Sequence, residues 1–397
     1  MTETVGKDTM GTSPTRKYEA VAPNTNRFGL YLSDLNRDRN DSHGIINYAV
    51  GLANALPGAL QPGEHLVIYA NPAIARELVI APSDAVTVRI TPAPTPLRRI
   101  MSDHVLGVRR ADRDGVCLLH FPKGFVPANP PDSPRIVATL HDDIPLLYAR
   151  GDFGKEHVTT KSRYFTASLR HTLRRAHGLL TVSNTSLDRF EDLAREASIA
   201  MPPIFVSHQG ITLPAGEPVP VEDKLPLVLH IGSTKPHKRS HEAVEFMIAY
   251  AAQSDSPLRP TILGPLNRRT ELLLQSHPVN RIKRTMSIPE LARLMRSSRA
   301  LVFNSEREGF GLPPVESFAL GTPAVFARTD VMEEVLGSSP GGYVQGDYES
   351  FAAAMDAVLA LTSDDLLSLR AAVLDRYNWD AVAAQTLQAY RKVAAAA

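Results

Sequence analysis

One cysteine in 397 residues cannot form an internal disulfide, so a disulfide-stapled scaffold is excluded and a reducing, cytoplasmic setting is expected. That residue, Cys117, stands in the apolar run Val116, Cys117, Leu118, Leu119 and reads as a small core side chain rather than a nucleophile. No uncharged apolar stretch of about 18 residues occurs, and the chain before Arg27 lacks the apolar segment of a signal peptide, so neither a membrane span nor an export signal is expected. Excess charge of one sign is missing too. The 43 Lys and Arg against 42 Asp and Glu give a formal net charge of +1, which supplies no general pull toward nucleic acid and makes any anion site a local feature. No G-x-G-x-x-G follows the first expected strand, which disfavours a dinucleotide dehydrogenase. A P-loop, a Cys-x-x-Cys pair and an H-E-x-x-H are absent as well, and nothing proposes a protein-bound metal.

What is plentiful is apolar residue: 43% hydrophobic against 21% charged lies far from the disordered class. The length exceeds one ordinary core of about 100 to 200 residues, so two packed domains are expected. Residues 1–26, rich in Thr, Pro, Lys and Glu without hydrophobic period, read as a disordered tail. From Arg27 short β-branched runs alternate with amphipathic ones, the pattern of a parallel sheet covered by helices on both faces. Strands are expected at 28–32, 66–69, 86–90, 116–120, 135–140, 178–182 and 204–206, with a helix over 45–60 whose Ile46, Val50, Ala53 and Leu56 recur at three and four residues. That makes one doubly wound domain, residues 27–211. Residues 212–226 hold Pro214, Pro218, Pro220 and Pro226 and read as a linker. A second α/β domain, 227–375, repeats the alternation with strands at 227–231, 260–263, near 281–285, 300–303 and 324–327. Residues 376–397 read as a closing helix able to pack back on the first domain. Ligands of such sheets bind beyond the carboxyl ends of the strands, and domain junctions favour clefts.

Residues 300–334 carry most of the chemistry. A buried strand ends at Asn304, a loop holds Glu308, Gly309, Phe310 and Gly311, and a helix is expected to begin near Pro313 with Glu316 in its first turns. Glycines before a helix and a proline at its start leave free N–H groups at the amino end, an anion site whose natural guest is phosphate. Glu308 and Glu316 stand to reach different parts of one ligand; read alone, a solvated Glu308 and a Glu316 that complements the helix dipole are the favoured reading. The run from Glu308 to Glu316, followed by Ala319, Leu320, Gly321, Thr322 and Pro323, resembles the E-x7-E signature of retaining glycosyltransferases of the GT-B fold, family 4. The resemblance extends from about Gly29 to Tyr390 and is densest after Leu227.

After the strand at 227–231, Gly232, Ser233, Thr234, Lys235, Pro236, His237, Lys238 and Arg239 form a glycine turn with basic side chains, which suits a diphosphate and, read alone, equally a solvated basic turn. The segment resembles the family's phosphate-binding lysine loop, nearest the bacterial mannosyltransferase-like branch, with Lys238 at the lysine position. Many members have arginine directly after the glycine; here Ser233 stands there, so the second phosphate cation is either Arg239 or His237. In the first half, His141, Asp142 and Asp143 follow a strand on the cleft side. They resemble the family's His-Asp segment, which implies that His141 faces the transferred sugar and that Asp142 and Asp143 lie on the acceptor side. His120, before Phe121 and Pro122, resembles another acceptor-side loop, although turn chemistry accounts for it equally well. Gly44, preceded by His43 where many members have a second glycine, resembles the loop beneath the donor phosphates. Ser183, Asn184, His208, Gln209 and Gly210 also end strands at the cleft. Arg170, His171, Arg174 and Arg175 recur at helical spacing; a solvated face is the first reading and attraction to an acidic acceptor or membrane surface the second.

The resemblance implies two Rossmann-like domains facing across a cleft and a metal-independent, retaining hexosyltransferase. It moves a sugar from a nucleotide diphosphate donor, GDP-mannose slightly ahead of UDP- or dTDP-sugars, to a hydroxyl of a glycan, lipid-linked or small-molecule acceptor. No cofactor beyond the donor co-substrate, no nucleic-acid partner and at most peripheral membrane contact are implied. Glu308, His141 and Lys238 take the catalytic roles; Gly44, Gly232, Ser233, Lys238, Arg239, Glu308, Phe310, Gly311, Leu312 and Glu316 bind the donor. The same fold also serves nucleotide-sugar epimerases and phosphorylases, and a non-catalytic binding protein would keep the donor motifs.

Overall fold

The computed structural model describes residues 26–37, 43–92, 106–254, 257–337 and 339–396. The expected tail, apart from Asn26, lies outside the described residues. Seven parallel strands form the first sheet: β1 (Arg27–Leu32), β2 (His65–Ala70), β3 (Val86–Ile90), β4 (Leu118–Phe121), β5 (Arg135–Leu140), β6 (Gly178–Thr181) and β7 (Ile204–Val206). Their spatial order is β3-β2-β1-β4-β5-β6-β7. The second sheet, also parallel, holds β8 (Leu225–Ile231), β9 (Arg259–Leu263), β10 (Asn280–Ile282), β11 (Ser298–Phe303), β12 (Ala324–Ala327) and β13 (Gly342–Tyr343), in the order β10-β9-β8-β11-β12-β13. Each sheet reverses direction of growth once, between β1 and β4 and between β8 and β11. The crevice above those strand ends is where open α/β sheets take their ligands. The lysine loop follows β8 and the Glu308 loop follows β11, so the topology itself brings the two motifs side by side.

Both faces of each sheet are covered. Leu30, Leu32 and Ile68 pack against Ile46, Tyr48 and Leu52 of the His43–Ala55 helix and against Val382, Leu387 and Tyr390 of the closing helix, Trp379–Ala395. Fully burying each such side chain is worth roughly 1.5 to 3 kcal/mol, enough to hold the closing helix on the first domain although it follows the second. The opposite face packs Tyr31, Val67 and Leu119 against Val108, Leu173 and Phe190. In the second domain Leu229, Leu301 and Phe326 meet Met295, Val315 and Phe318 on one face, and Val228, Ile262 and Val302 meet Val244, Met247 and Phe351 on the other.

Local departures from the expected elements have local causes. The helix expected over 45–60 is α-helical only through Ala55 and then a 3-10 turn over Leu56–Ala59, because Pro57 offers no N–H. The strand expected from Val116 begins at Leu118; Cys117 precedes it, packs against the first core, and burial pushes its thiol up.

The proline-rich segment is fastened to the second domain. Arg296 donates to the carbonyls of Ala215 (3.1 Å) and Pro214 (2.5 Å), and Arg299 to that of Val221 (3.0 Å). Lys224 donates to the Arg296 carbonyl (2.5 Å) and the Thr322 hydroxyl (2.9 Å). Prolines keep these carbonyls out of a sheet ladder, which leaves them to the buried cations. The two chain crossings between domains meet where the Ile211 N–H donates to the Tyr377 carbonyl (3.0 Å). Trp379, the single tryptophan, fills this junction: its indole N–H donates to Thr212 Oγ1 (2.8 Å), and a Cβ on Gly51 or Gly210 would stand 2.0 or 2.3 Å from its ring. No helix among the described residues is long and apolar enough to cross a membrane.

Candidate functional site

Beyond β11 the chain crosses the top of the sheet through Asn304 to Gly311 before entering the Leu312–Ala319 helix. Gly311, the residue before that helix, has φ +84°, and a Cβ there would stand 1.9 Å from Met332 Cε. Gly309 serves a different need, since its Cβ would stand 1.8 Å from the His141 carbonyl oxygen of the other domain. The loop therefore reaches across the cleft with bare backbone. First-domain donors grip it there: Ser183 Oγ (2.7 Å) and Ser186 Oγ (3.1 Å) donate to the Gly309 carbonyl, and Arg189 Nη1 (2.8 Å) to that of Glu308.

Lys238 closes the Pro236–Lys238 turn after β8. Its ammonium ion-pairs with Glu308 Oε1 and lies 5.5 Å from the centroid of the Phe303 ring. Arg239, at φ +44°, pairs with Glu242 and with Glu306 (3.1 Å). His237 is buried and hydrogen-bonded to Tyr148 across the cleft (3.0 Å). Burial first, then the charges of Lys238 and Lys235, push its imidazole down to about 3. Its ring is therefore neutral at pH 7 in this structure, whereas Arg239 carries its charge balanced by two carboxylates. Gly232 packs closely, its Cβ position 2.8 Å from Leu266 Cδ2. Ser233 serves the turn, its N–H donating to Ser240 Oγ (3.0 Å) and its hydroxyl accepting from the Lys235 N–H (3.2 Å).

On the facing domain His141 follows β5. Its Nε2 lies 2.7 Å from the Pro122 carbonyl, which can only accept, so Nε2 carries the proton and Nδ1 the lone pair. Burial pushes this ring down to about 4 against the pull of that carbonyl, and Tyr48 packs edge-on at 5.0 Å. Asp142 caps the next turn by accepting from the Ile144 N–H (3.0 Å); burial, followed by the nearby Glu308 and Asp143 charges, lifts it to about 6. Asp143, expected on the acceptor side, is instead taken up by Arg307 of the other domain in a two-point ion pair that includes an Nε to Oδ1 bond of 3.0 Å. His120 is also a correction. It has no exposed surface, and both ring nitrogens are bound, to the Tyr390 hydroxyl (2.6 Å) and Thr139 Oγ1 (2.7 Å), so it fastens the closing helix to the sheet core. Gly44 lies in the first turn of the His43–Ala55 helix, with open space where its Cβ would be. The residues just before that helix lie outside the described ones.

The Leu312–Ala319 helix buries Val315, Phe318 and Ala319 and leaves Leu312, Pro313 and Glu316 as a half-buried stripe. It begins one residue earlier than expected, and Pro313 and Pro314 have no N–H, so Leu312 supplies the amide that its first turn presents. Phe310, expected at the donor, turns its ring into the core, edge-on to Tyr377 at 5.1 Å; only its backbone belongs to the loop. The Glu316 carboxylate makes no hydrogen bond or ion pair among the described residues, and burial lifts it to about 7.

Lys238, Glu308, His141 and Asp142 thus converge on one interdomain cleft. Arg307, Arg189 and Glu334 were not anticipated. Glu334 caps the Asn184–Glu196 helix from the opposite domain, accepting from the N–H groups of Asn184 and Thr185 (both 2.7 Å) and from the Thr185 hydroxyl (2.7 Å). Burial works to raise it, but hydrogen bonds from His208, Thr185 and Asn184 prevail and hold it at about 2. Arg307 had a sequence signal, its place between Glu306 and Glu308; Arg189, inside an ordinary charged helix, had none.

Residues 217–372 match the family described as Glycosyl transferases group 1. Over 276 residues the chain is 25% identical to the MMP alpha-(1->4)-mannosyltransferase of Mycolicibacterium hassiacum, covering 66% of each chain. Over 227 residues it is 26% identical to the O-antigen chain mannosyltransferase RfbU of Salmonella typhimurium, covering 54% of this chain and 62% of that one. The chain therefore spans just under two thirds of the length of these relatives. Sucrose-phosphate synthase from Thermosynechococcus elongatus superimposes with a TM-score of 0.64 over 94% of this chain and all of that one, at 18% identity, which speaks for the fold alone. Together the comparisons show the two-domain GT-B fold and, over residues 217–372, a similarity to group 1 glycosyl transferases.

Proposed function

We propose that this chain is a retaining, family 4-type hexosyltransferase that uses a nucleotide diphosphate sugar, GDP-mannose ahead of the others, and a hydroxyl of a glycan, lipid-linked or small-molecule acceptor. The observation that carries the reading is the state of its two glutamates. Glu308 holds the Lys238 ammonium in place, and Glu316 is a half-buried carboxylate with no protein partner among the described residues, free to accept from ribose hydroxyls. A diphosphate competes with Glu308 for Lys238, so donor binding frees Glu308 beside the sugar. Mannose is favoured by the mannosyltransferase relatives, and GDP-mannose by the resemblance of the lysine loop to the mannosyltransferase-like branch.

Lys238, the Leu312 amide and the positive end of its helix then face the departing diphosphate. Its charge grows in the transition state, where fixed donors in a partly desolvated cleft are most effective. The bond from the anomeric carbon to the phosphate oxygen breaks, and the acceptor oxygen forms its bond on the same face. The leaving phosphate takes the acceptor's proton, so no enzymic nucleophile is required. Glu308 favours the positive charge that develops on the sugar ring. His141, neutral with Nε2–H tied to Pro122, offers Nδ1 as an acceptor for a sugar hydroxyl. Neutralisation by side chains and backbone predicts turnover that needs no divalent ion and no cofactor. Incubating the purified chain with a panel of nucleotide sugars in the presence of chelator, followed by mass spectrometry, tests this. Slow donor hydrolysis or transfer supports the reading. Sugar isomerisation points to an epimerase instead, and binding without turnover to a non-catalytic protein.

A further inference from the structure

The Thr160–Arg175 helix carries Lys161, Arg163, Arg170, Arg174 and Arg175 and no acidic residue, in a chain whose formal net charge is only +1. Its inner face is occupied: Leu169 and Leu173 enter the core, His171 donates to the Pro127 carbonyl (2.9 Å) and Thr172 to that of Gly124 (3.1 Å). His171 is thereby withdrawn from the basic stripe, while all five longer cations lie exposed. Arg163, Arg170, Arg174 and Arg175 make no ion pair among the described residues. At the amino end Tyr164 is 59% exposed and packs on Phe165 (5.9 Å between ring centroids), which packs on Phe125 (5.4 Å) and lies under Lys161 (5.8 Å). A helix joining parallel β5 to β6 must run against them, so this aromatic end lies at the carboxyl end of the sheet, on the side of the cleft. The next helix on the same face exposes Asp188, Glu191, Asp192 and Glu196, which sets the edge of the positive surface on the second-domain side.

We propose that the exposed face of the Thr160–Arg175 helix docks on an anionic lipid bilayer, its arginines on the headgroups and Tyr164 at the interface. Four exposed arginines without ion-pair partners among the described residues, with an amphipathic aromatic at one end of their helix, match a flat anionic surface. A nucleic acid has the same charge, but it calls for a groove or a run of stacking rings, and here the rings are confined to one end. Docking in this orientation brings the rim of the cleft to the bilayer and so selects a lipid-borne acceptor. That last step rests on the proposed function; the docking does not.

Co-sedimentation of the full chain with vesicles tests it, using phosphatidylcholine alone and phosphatidylcholine mixed with phosphatidylglycerol. Binding is expected to the mixed vesicles only and to be reversed by high salt. A lysine or arginine near an anionic bilayer is worth roughly fivefold in partitioning. The triple variant Arg170→Gln, Arg174→Gln, Arg175→Gln should therefore bind roughly 100-fold more weakly, with its melting temperature and donor hydrolysis unchanged. Should the triple variant fold poorly, Arg170→Gln alone is expected to lose about fivefold. Equal binding to both vesicle types, no binding to the mixed ones, parent-like binding by the variants, or tighter binding to a single-stranded oligonucleotide than to the vesicles would each overturn the proposal.

Discussion

Glu316→Gln keeps the size of the side chain and removes its charge. In the folded chain burial raises this carboxyl from 4.5 to about 7. A folded value above the unfolded one means that the proton is held more tightly in the native state. Stability is greatest below about pH 4.5, falls as the pH climbs from there through about 7, and levels off above. Glutamine does not titrate, so the variant should gain on the parent over that window. Between pH 5.5 and 8.5 the parent loses about 2 kcal/mol that the variant keeps, at about 1.4 kcal/mol per pH unit. For a domain of this size that corresponds to roughly 4 to 8 °C in melting temperature. Thermal melts of both proteins at the two pH values measure the difference, and the same samples titrated with GDP measure the opposite effect on function. Ribose hydroxyls donate to a carboxylate but meet an amide only in part, so the variant should be more stable and bind nucleotide less well. A melting-temperature gap that does not change with pH, or a variant less stable than its parent at pH 8.5, would refute the assignment of Glu316 as a desolvated carboxylate without a partner among the described residues.

Other consequences are more local. Lys238→Ala should lower kcat/KM for the donor more than tenfold, because a charged hydrogen bond to a diphosphate contributes about 1.5 to 3 kcal/mol; unchanged kinetics would remove Lys238 from the site. Asp143→Ala leaves Arg307 without its partner across the cleft. Small-angle scattering of the ligand-free variant should show a larger radius of gyration than the parent, and identical profiles would deny that the pair holds the domains together. Trp379, wedged at the chain crossings, should report domain movement: its fluorescence should change when a nucleotide sugar binds, whereas a constant spectrum at saturation would place the moving joint elsewhere.

The parallel sheets were legible because their strands are buried on both faces and stand out as short apolar runs between helices, as at Leu118 and Leu301. β13 escaped because two residues carry no periodicity. The Glu308 to Glu316 run and the Lys238 loop could be found because each is contiguous and sits at a strand end. What the sequence could not disclose is pairing between residues far apart in the chain. Asp143 looks like a cleft carboxylate until Arg307, 164 positions later, is seen to occupy it. His120 looks like a cleft histidine until Tyr390, 270 positions later, takes one of its nitrogens. The proline-rich segment looks like a free linker, and only Arg296, Lys224 and Arg299 reveal that it is fixed to one domain.

The division of labour between the two glutamates is the centre of the account, and donor-hydrolysis kinetics of Glu308→Gln and Glu316→Ala test it most directly. A contact made equally before and during reaction affects KM, whereas one that strengthens as positive charge develops on the sugar affects kcat. Glu316→Ala should raise the donor KM roughly tenfold, from the loss of one or two hydrogen bonds of about 1 kcal/mol each, with kcat nearly intact. Glu308→Gln, which preserves shape and deletes the charge, should lower kcat and, by removing the anion that competes with the diphosphate for Lys238, should lower the donor KM rather than raise it. The reverse pattern, or two variants that behave like the parent, would contradict the placement of the donor on this loop and helix.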